Sequence, residues 1–222
     1  MVNTPTAGAG TARRAGLDRD DMIEAALAIV EEHGPSALTM RKLAAELEVS
    51  TTTIYWHVGG RDELVTALIR RLAERLAERE VEGDTPGERV LSAARCVWDS
   101  ALEHRHVTAL AHQVGAVSLL ELPLEIALVR ELEAAGLRGP AARDALQAIL
   151  MCVAGFLVVA LRPDGAVPPE YRSQALWADM SPEGISPGTL TALRRAPALG
   201  PLFETTLGAV VDAIISPVQE DS

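Results

Sequence analysis

The stretch from Leu38 to Val65 constrains the fold of this chain more than any other part of its sequence. It holds two short segments of helical apolar spacing, which begin at the capping residues Thr39 and Ser50 and are separated by a short break. Two helices this short gain stability by crossing steeply over a shared apolar core. The pattern therefore predicts a helix-turn-helix between about Thr39 and Val58. The second helix of such a motif typically enters the major groove of DNA.

Residues that start and stop helices punctuate the rest of the chain. Asp18 is a predicted N-cap, Gly34-Pro35 a predicted stop, and Pro123 and Pro140 are predicted to open helices in the second half. Aromatic residues make up only 3% of the chain and β-branched runs are scarce, so strands lack the residues they prefer. We predict an all-α fold of nine or ten helices, with a long loop and a short helix or two between Pro163 and Pro201.

The charge balance is acidic. Twenty Lys and Arg stand against 31 Asp and Glu, which gives a net charge of −11. This excludes a strongly basic nucleic-acid-binding chain, but the local distribution of cations decides binding at a particular site. If the chain binds DNA, we expect modest affinity and strong salt dependence.

Cysteine usage and hydropathy bear on the compartment. Cys96 and Cys152 are too few for a disulfide framework, which favours a reducing, cytoplasmic protein, and no secretory signal is expected. The stretch Ala145–Leu161 carries no charge. Such a helix is either a membrane span or a helix buried between partners, and its length and flanking residues favour the buried helix.

The run LAAELEVSTTTIYWHVGGRDEL resembles the tetracycline-repressor (TetR) family of one-component regulators. In this family a Tyr-x-His sequence ends the reading helix. Tyr55-Trp56-His57-Val58 is similar to the tetracycline-responsive subgroup. The predicted order of helices also resembles that family, whose members bind palindromic operators as dimers. The resemblance implies a flexible arm at 1–16, a helix-turn-helix DNA-binding domain at 17–62 and an effector-binding and dimerisation domain at 63–222.

The same resemblance implies DNA contacts for nine side chains. They are Thr39, Arg41 and Lys42 at the first short helix, Thr51, Thr52, Thr53, Tyr55 and His57 on the second, and Arg61 at the start of the following long helix. Thr39, Tyr55, His57 and Arg61 would bind phosphates, Arg41 a base edge, and the three threonines bases or phosphates. Independently of the resemblance, a helix N-terminus after two glycines favours an anion near Arg61. Trp56 is expected to pack against the first helix.

Glu48 departs from the family pattern, which usually has glycine in the turn. A left-handed backbone at a residue other than glycine costs about 1 kcal/mol.

From Thr85 onward the sequence has no catalytic spacing, so we expect a protein that is not an enzyme and needs no cofactor or metal. Three histidines, His104, His106 and His112, cluster in EHRHVTALAHQ. On one helix His104 and His106 would point apart. The three are therefore predicted to be polar residues at a helix junction, with pocket lining or metal binding as alternatives.

The subgroup resemblance also implies an effector pocket for a small hydrophobic or aromatic molecule. Its candidate residues are Trp98, Leu102, His106, Gln113, Gln147, Met151, Phe156 and Trp177. Helices at about 140–161 and 201–215 would form the homodimer interface, placing two reading helices about 34 Å apart.

The predicted function is that of a ligand-responsive repressor released from a palindromic operator. The alternatives are an effector-blind regulator, a helical bundle without a DNA role, and a membrane-anchored protein.

Overall fold

The computed structural model describes residues 17–162 and 172–220, and over these residues the chain is helical without a strand. This confirms the all-α prediction. The arm predicted at 1–16 lies outside the described residues. The α-helices are α1 Arg19–His33, α2 Met40–Glu46, α3 Thr51–Val58, α4 Arg61–Leu76, α5 Pro86–Glu103, α6 Arg105–Gln113, α7 Val117–Ala134, α8 Pro140–Ala160, α9 Ser173–Ala178, α10 Pro187–Leu193 and α11 Leu199–Glu220, with a 3₁₀ turn at Pro35–Ala37.

The described helices number eleven, where nine or ten were expected. The excess comes from α6, which was not predicted, whereas α9 and α10 are the short helices expected between Pro163 and Pro201. Gly115, with φ at 68°, separates α6 from α7, because Ala116 N–H reaches back to the Ala111 carbonyl at 2.8 Å.

The prediction that Pro123 opens a helix is wrong, because this proline lies inside α7. Leu120, Leu124, Leu128 and Leu132 are all buried, so one apolar stripe continues across the proline. Burial of this stripe outweighs the single backbone hydrogen bond that a proline cannot donate.

The chain divides into two compact units. The N-terminal unit comprises the described residues up to Glu80 together with Glu103–Ile126, and the C-terminal unit comprises Val81–Leu102 and the chain from Ala127 onward. The N-terminal unit therefore contains α4 and α6 as well as the helix-turn-helix. The domain boundary expected between residues 62 and 63 would instead assign α6 and nearly all of α4 to the other domain.

The N-terminal unit is built on the pair α1 and α4. Asp18 begins α1 with a capping box: its carboxylate accepts from Asp21 N–H at 2.9 Å, and the Asp21 carboxylate accepts from Asp18 N–H at 3.0 Å. Helix α4 buries the leucine stripe Leu64, Leu68, Leu72 and Leu76. Arg71 of α4 ties the two helices at their surface, since it pairs with Asp20 and Glu24 of α1 at 2.9 and 3.1 Å.

The C-terminal unit contains the two longest helices, α8 and α11, which pack against each other. Each buries one stripe at helical spacing: Ala142, Ala145, Ile149 and Val153 on α8, and Phe203, Leu207, Val211 and Ile215 on α11. By length and composition alone, Pro140–Ala160 and Leu199–Ser216 are long and apolar enough to cross a membrane. Large apolar side chains remain exposed on both helices, among them Met151, Val158 and Leu202.

Candidate DNA-binding interface

Helix α2 begins at Thr39, as the sequence predicts. The Thr39 hydroxyl oxygen accepts a hydrogen bond from Lys42 N–H at 3.0 Å and caps the helix. The hydroxyl hydrogen remains available to donate to a phosphate oxygen. Arg41 is exposed and Lys42 is half-buried, and neither forms an ion pair with another described residue. The start of α2 therefore offers one hydroxyl donor and two cations.

The turn after α2 has the left-handed residue that the sequence predicts. Glu48 has φ at 54°, and no other non-glycine residue in the described ranges has a positive φ. Val49 N–H donates to the Ala44 carbonyl at 2.9 Å and Glu48 N–H to the Ala45 carbonyl at 3.2 Å, which is the hydrogen-bond pattern of a Schellman motif. Glu48 occupies the position of this motif that favours glycine.

Helix α3 begins at Ser50, and its three threonines are not equivalent. Thr53 N–H donates to the Ser50 hydroxyl at 3.1 Å, and the hydroxyls of Ser50 and Thr53 are hydrogen-bonded at 2.9 Å. Thr53 is half-buried, whereas Thr51 and Thr52 are exposed and their side chains have no hydrogen-bond partner among the described residues. Thr51 and Thr52 are therefore free to meet DNA, while Thr53 completes the cap.

The exposed face of α3 is aromatic. Ile54 and Val58 are buried, and they anchor the helix on the core. Tyr55 is 54% exposed, and Trp56 is 86% exposed. The prediction that Trp56 packs against the first helix is wrong, because a residue two positions after Ile54 lies about 200° around the helix from it.

The other predicted contacts of this region are His57 and Arg61, which are both exposed. His57 is exposed on α3. Arg61 begins α4 after Gly59, whose φ of 76° ends α3. The Arg61 Nε donates to the Leu38 carbonyl at 3.4 Å, which links the start of α4 to the residue before the α2 cap. The remaining guanidinium N–H groups of Arg61 can still bind a phosphate.

An acidic side chain lies at the N-terminus of α4. A Cβ added at Gly60 would come within 2.7 Å of the Glu63 Oε2, so this carboxylate lies against the glycine. The position is the one where the sequence predicts an anion, because free N–H groups and the helix dipole attract negative charge. A DNA phosphate would therefore meet the Glu63 carboxylate there.

Two of the three clustered histidines, His104 and His106, contact Glu31. His104 Nδ1 lies 2.7 Å from the Glu31 Oε1, and His106 Nδ1 lies 2.7 Å from the Glu31 carbonyl oxygen. Because a carbonyl oxygen only accepts, His106 Nδ1 carries the hydrogen. His104 is the N-cap residue of α6 and His106 lies within it, so the two histidines do not share one helix and lie at a helix junction, as predicted. His112 is exposed, and no cluster of three metal-ligating residues occurs in the described residues.

The predicted effector residues are distributed over both units. His106 and Gln113 lie in the N-terminal unit and the other six in the C-terminal unit. Trp98 is buried; Leu102, His106, Phe156 and Trp177 are half-buried; and Gln113, Gln147 and Met151 are exposed. None of the eight lines the two open grooves of about 450 and 320 Å³ described on the N-terminal unit.

An aromatic cluster lies in the C-terminal unit. Trp98 stacks on Phe203 with 4.2 Å between ring centroids, and Phe156 meets the two rings edge-on at 6.3 and 5.4 Å. Phe203 was not among the predicted residues, although the four-residue spacing of apolar residues on α11 marks it as buried. Ser100, two residues after Trp98, buries a hydroxyl without a hydrogen-bond partner among the described residues.

The helix-turn-helix exposes threonines and aromatic rings on its second helix and cations at its flanks, as expected of a DNA-binding surface. Residues 22–68 match the bacterial regulatory proteins of the tetR family. Over 54 residues the chain is 44% identical to the class D tetracycline repressor protein of Escherichia coli, a segment that covers 24% of this chain and 25% of that protein. It is 28% identical over 163 residues to the HTH-type transcriptional repressor DrrR1 of Streptomyces coeruleorubidus, which covers 73% of this chain and 50% of that protein.

Two solved structures share the fold. ActR of Streptomyces coelicolor has a TM-score of 0.68 at 20% identity, covering 94% of this chain and 99% of that chain, and it has also been solved with actinorhodin. BioQ bound to its double-stranded DNA operator has a TM-score of 0.51 at 26% identity, covering 66% of this chain and 87% of that chain. The resemblance to the tetR family thus rests on residues 22–68, and the solved structures share the fold. The chain spans between a quarter and a half of the length of the curated relatives described above.

Proposed function

We propose that this protein is a transcriptional repressor that binds a palindromic DNA operator through α2, α3 and the start of α4. The observation that carries the proposal is the exposed face of α3, whose Thr51, Thr52 and aromatic side chains lie on a helix anchored by buried Ile54 and Val58. The named relatives are transcriptional repressors and regulators, and BioQ binds an operator. No part of the proposal involves catalysis.

The proposal includes a homodimer. Helices α8 and α11 keep Met151 69% exposed and Val158 67% exposed, and an apolar surface of this kind gains stability when a partner covers it. Burial between two subunits accounts for the apolar composition of both helices without a membrane. A two-fold axis would also place two reading helices on successive major grooves of a palindrome. We therefore assign the protein to the cytoplasm.

The proposal further includes release from DNA by a small hydrophobic or aromatic effector. ActR has been solved with actinorhodin, and a TetR variant of Acinetobacter baumannii with minocycline. In this chain the rings of Trp98, Phe156 and Phe203 provide aromatic surface. Aromatic lining of this kind is typical of small-molecule sites.

Selection of bound sequences from random duplex DNA tests the proposal. We expect a palindrome whose half-sites are separated by one helical turn, and a complex whose mass corresponds to a protein dimer. Val158→Arg should shift the free protein toward the monomer, since it places a charge on the apolar face of α8. Recovery of no enriched sequence would contradict the DNA-binding proposal, and a membrane-bound protein in fractionation would contradict the soluble dimer.

Paired variants test the assignment of phosphate contacts. Tyr55→Phe and His57→Ala remove one donor each, so we expect weaker binding to operator and to unrelated DNA alike. His112→Ala is the matched control, because this histidine is also exposed but lies on α6. A changed base preference in either variant would instead assign that side chain to a base.

Actinorhodin and minocycline serve as first probes for release of the DNA.

A further inference from the structure

The reading helix lacks the side chains that distinguish bases by paired hydrogen bonds. Between Leu43 and Gly60 the chain has no arginine, lysine, asparagine or glutamine. Arg and Lys make the paired contact with guanine, and Asn and Gln make the paired contact with adenine. Helix α3 therefore cannot form either of the contacts that supply most direct discrimination in the major groove.

The surface that α3 does present is rich in apolar groups. Thr51 and Thr52 are exposed, and each carries a methyl group beside its hydroxyl. Trp56 is 86% exposed, and its indole ring is the largest apolar group on the helix. In the major groove the apolar group that marks a base is the C5 methyl of thymine, which lies at the edge of every A·T pair.

The three cations of the interface differ in how freely their side chains can reach a base. Arg61 is directed to the Leu38 carbonyl at 3.4 Å, and Lys42 is half-buried. Arg41 is exposed and has no ion pair among the described residues. Arg41 is thus the one side chain of the three that is both exposed and not directed to the protein backbone.

From these observations we infer that the operator half-site is read through thymine methyl groups. Thr51, Thr52 and Trp56 contact the methyl groups of a block of A·T pairs, and Arg41 contacts one guanine at the edge of that block. The inference rests on the proposed DNA-binding function and specifies the DNA it recognises. If the inference holds, removal of a thymine methyl group weakens binding even though base pairing is unchanged.

Replacement of thymine by deoxyuridine tests the inference, because it removes only the C5 methyl. In the selected operator, each replacement within the A·T block should weaken binding about fourfold, the value expected for the loss of one buried methyl group. The same replacement outside the half-sites should have no effect. Weakening at every position alike would indicate a general change in the duplex and would overturn the inference.

Threonine variants identify the side chains that touch the methyl groups. Thr51→Ser and Thr52→Ser keep the hydroxyl and remove the methyl, so binding to the thymine operator should weaken while the deoxyuridine effect at one position disappears. Thr51→Val keeps the methyl and should retain the effect. Thr53→Ser is the matched control, because Thr53 is half-buried and bonded to Ser50. Equal deoxyuridine effects in wild type and in both serine variants would remove the threonines from the inference.

The outcomes separate this inference from the proposed function. A palindrome with one required guanine per half-site and methyl-sensitive A·T pairs supports both. A palindrome with several required guanines, or one indifferent to deoxyuridine, overturns the inference and leaves the repressor proposal standing. Absence of any enriched sequence overturns both.

Discussion

Glu48→Gly should stabilise the protein by relieving the turn between α2 and α3. The φ of 54° at Glu48 places a side chain in the left-handed region, where the Cβ approaches the following carbonyl oxygen. Relief of that contact is worth about 1–2 kcal/mol. The greater freedom of glycine in the unfolded chain offsets about 0.4–1 kcal/mol of this gain. We expect a net stabilisation of about 1 kcal/mol, which in a chain of this size raises Tm by about 2–4 °C.

Thermal unfolding of wild type, Glu48→Gly and Glu48→Ala separates backbone strain from charge. Alanine removes the carboxylate but keeps the Cβ, so Glu48→Ala should leave Tm near the wild-type value. Both variants should strengthen binding to the selected operator equally at low salt, since both remove a negative charge beside the reading helix. Equal stabilisation by alanine and glycine would assign the effect to charge, and no stabilisation by glycine would refute strain in this turn.

Three further predictions concern individual ionisable groups. Glu63→Gln should strengthen operator binding about two- to fivefold at low salt, because the carboxylate beside Gly60 repels a phosphate at the N-terminus of α4; unchanged affinity would place the phosphate elsewhere. Glu88→Gln should lower the stability at neutral pH, because N–H groups of Thr85 and Asp84 bonded to the carboxylate lower the pKa of Glu88. The contribution of the Glu88 carboxylate to stability is present above the ordinary glutamate pKa and is lost as the pH falls through the lowered pKa. The stabilities of wild type and variant should therefore converge in acid unfolding titrations, and a constant difference would contradict this. Burial raises the pKa of the Cys152 thiol, so its alkylation should require a higher pH than a free cysteine needs, and equal rates would contradict the burial.

The features that sequence reasoning found correctly are determined by neighbouring residues. Asp18, Thr39 and Ser50 were each identified as N-caps, and each accepts a hydrogen bond from the N–H three positions later. The left-handed turn at Glu48 was expected from the resemblance to a family that usually has glycine at this position. Local hydrogen-bonding chemistry decides these positions, so a window of a few residues contains the information.

The features that sequence reasoning missed depend on packing between distant segments. Pro123 ends a helix by local rules, yet the buried leucines on both sides hold α7 continuous through it. The pairing of His104 with Glu31 joins residues 73 positions apart, and no local pattern announces it. Trp56 was assigned to the core because large aromatic residues are usually buried, but the stripe of α3 that packs inward is set by Ile54 and Val58.

The acidic charge of the chain fits an operator-specific regulator better than it first suggests. Binding to unrelated DNA comes almost entirely from cations facing phosphates, and within the described ranges the cations of this interface are Arg41, Lys42 and Arg61. A net charge of −11 further weakens attraction to unrelated DNA. Contacts with base edges and methyl groups do not depend on that charge, so they are retained at the operator while the competing sites lose affinity. Because a genome offers many competing sites, the ratio of the two affinities determines occupancy of the operator. A weakly basic interface on an acidic protein raises this ratio even as it lowers the absolute affinity.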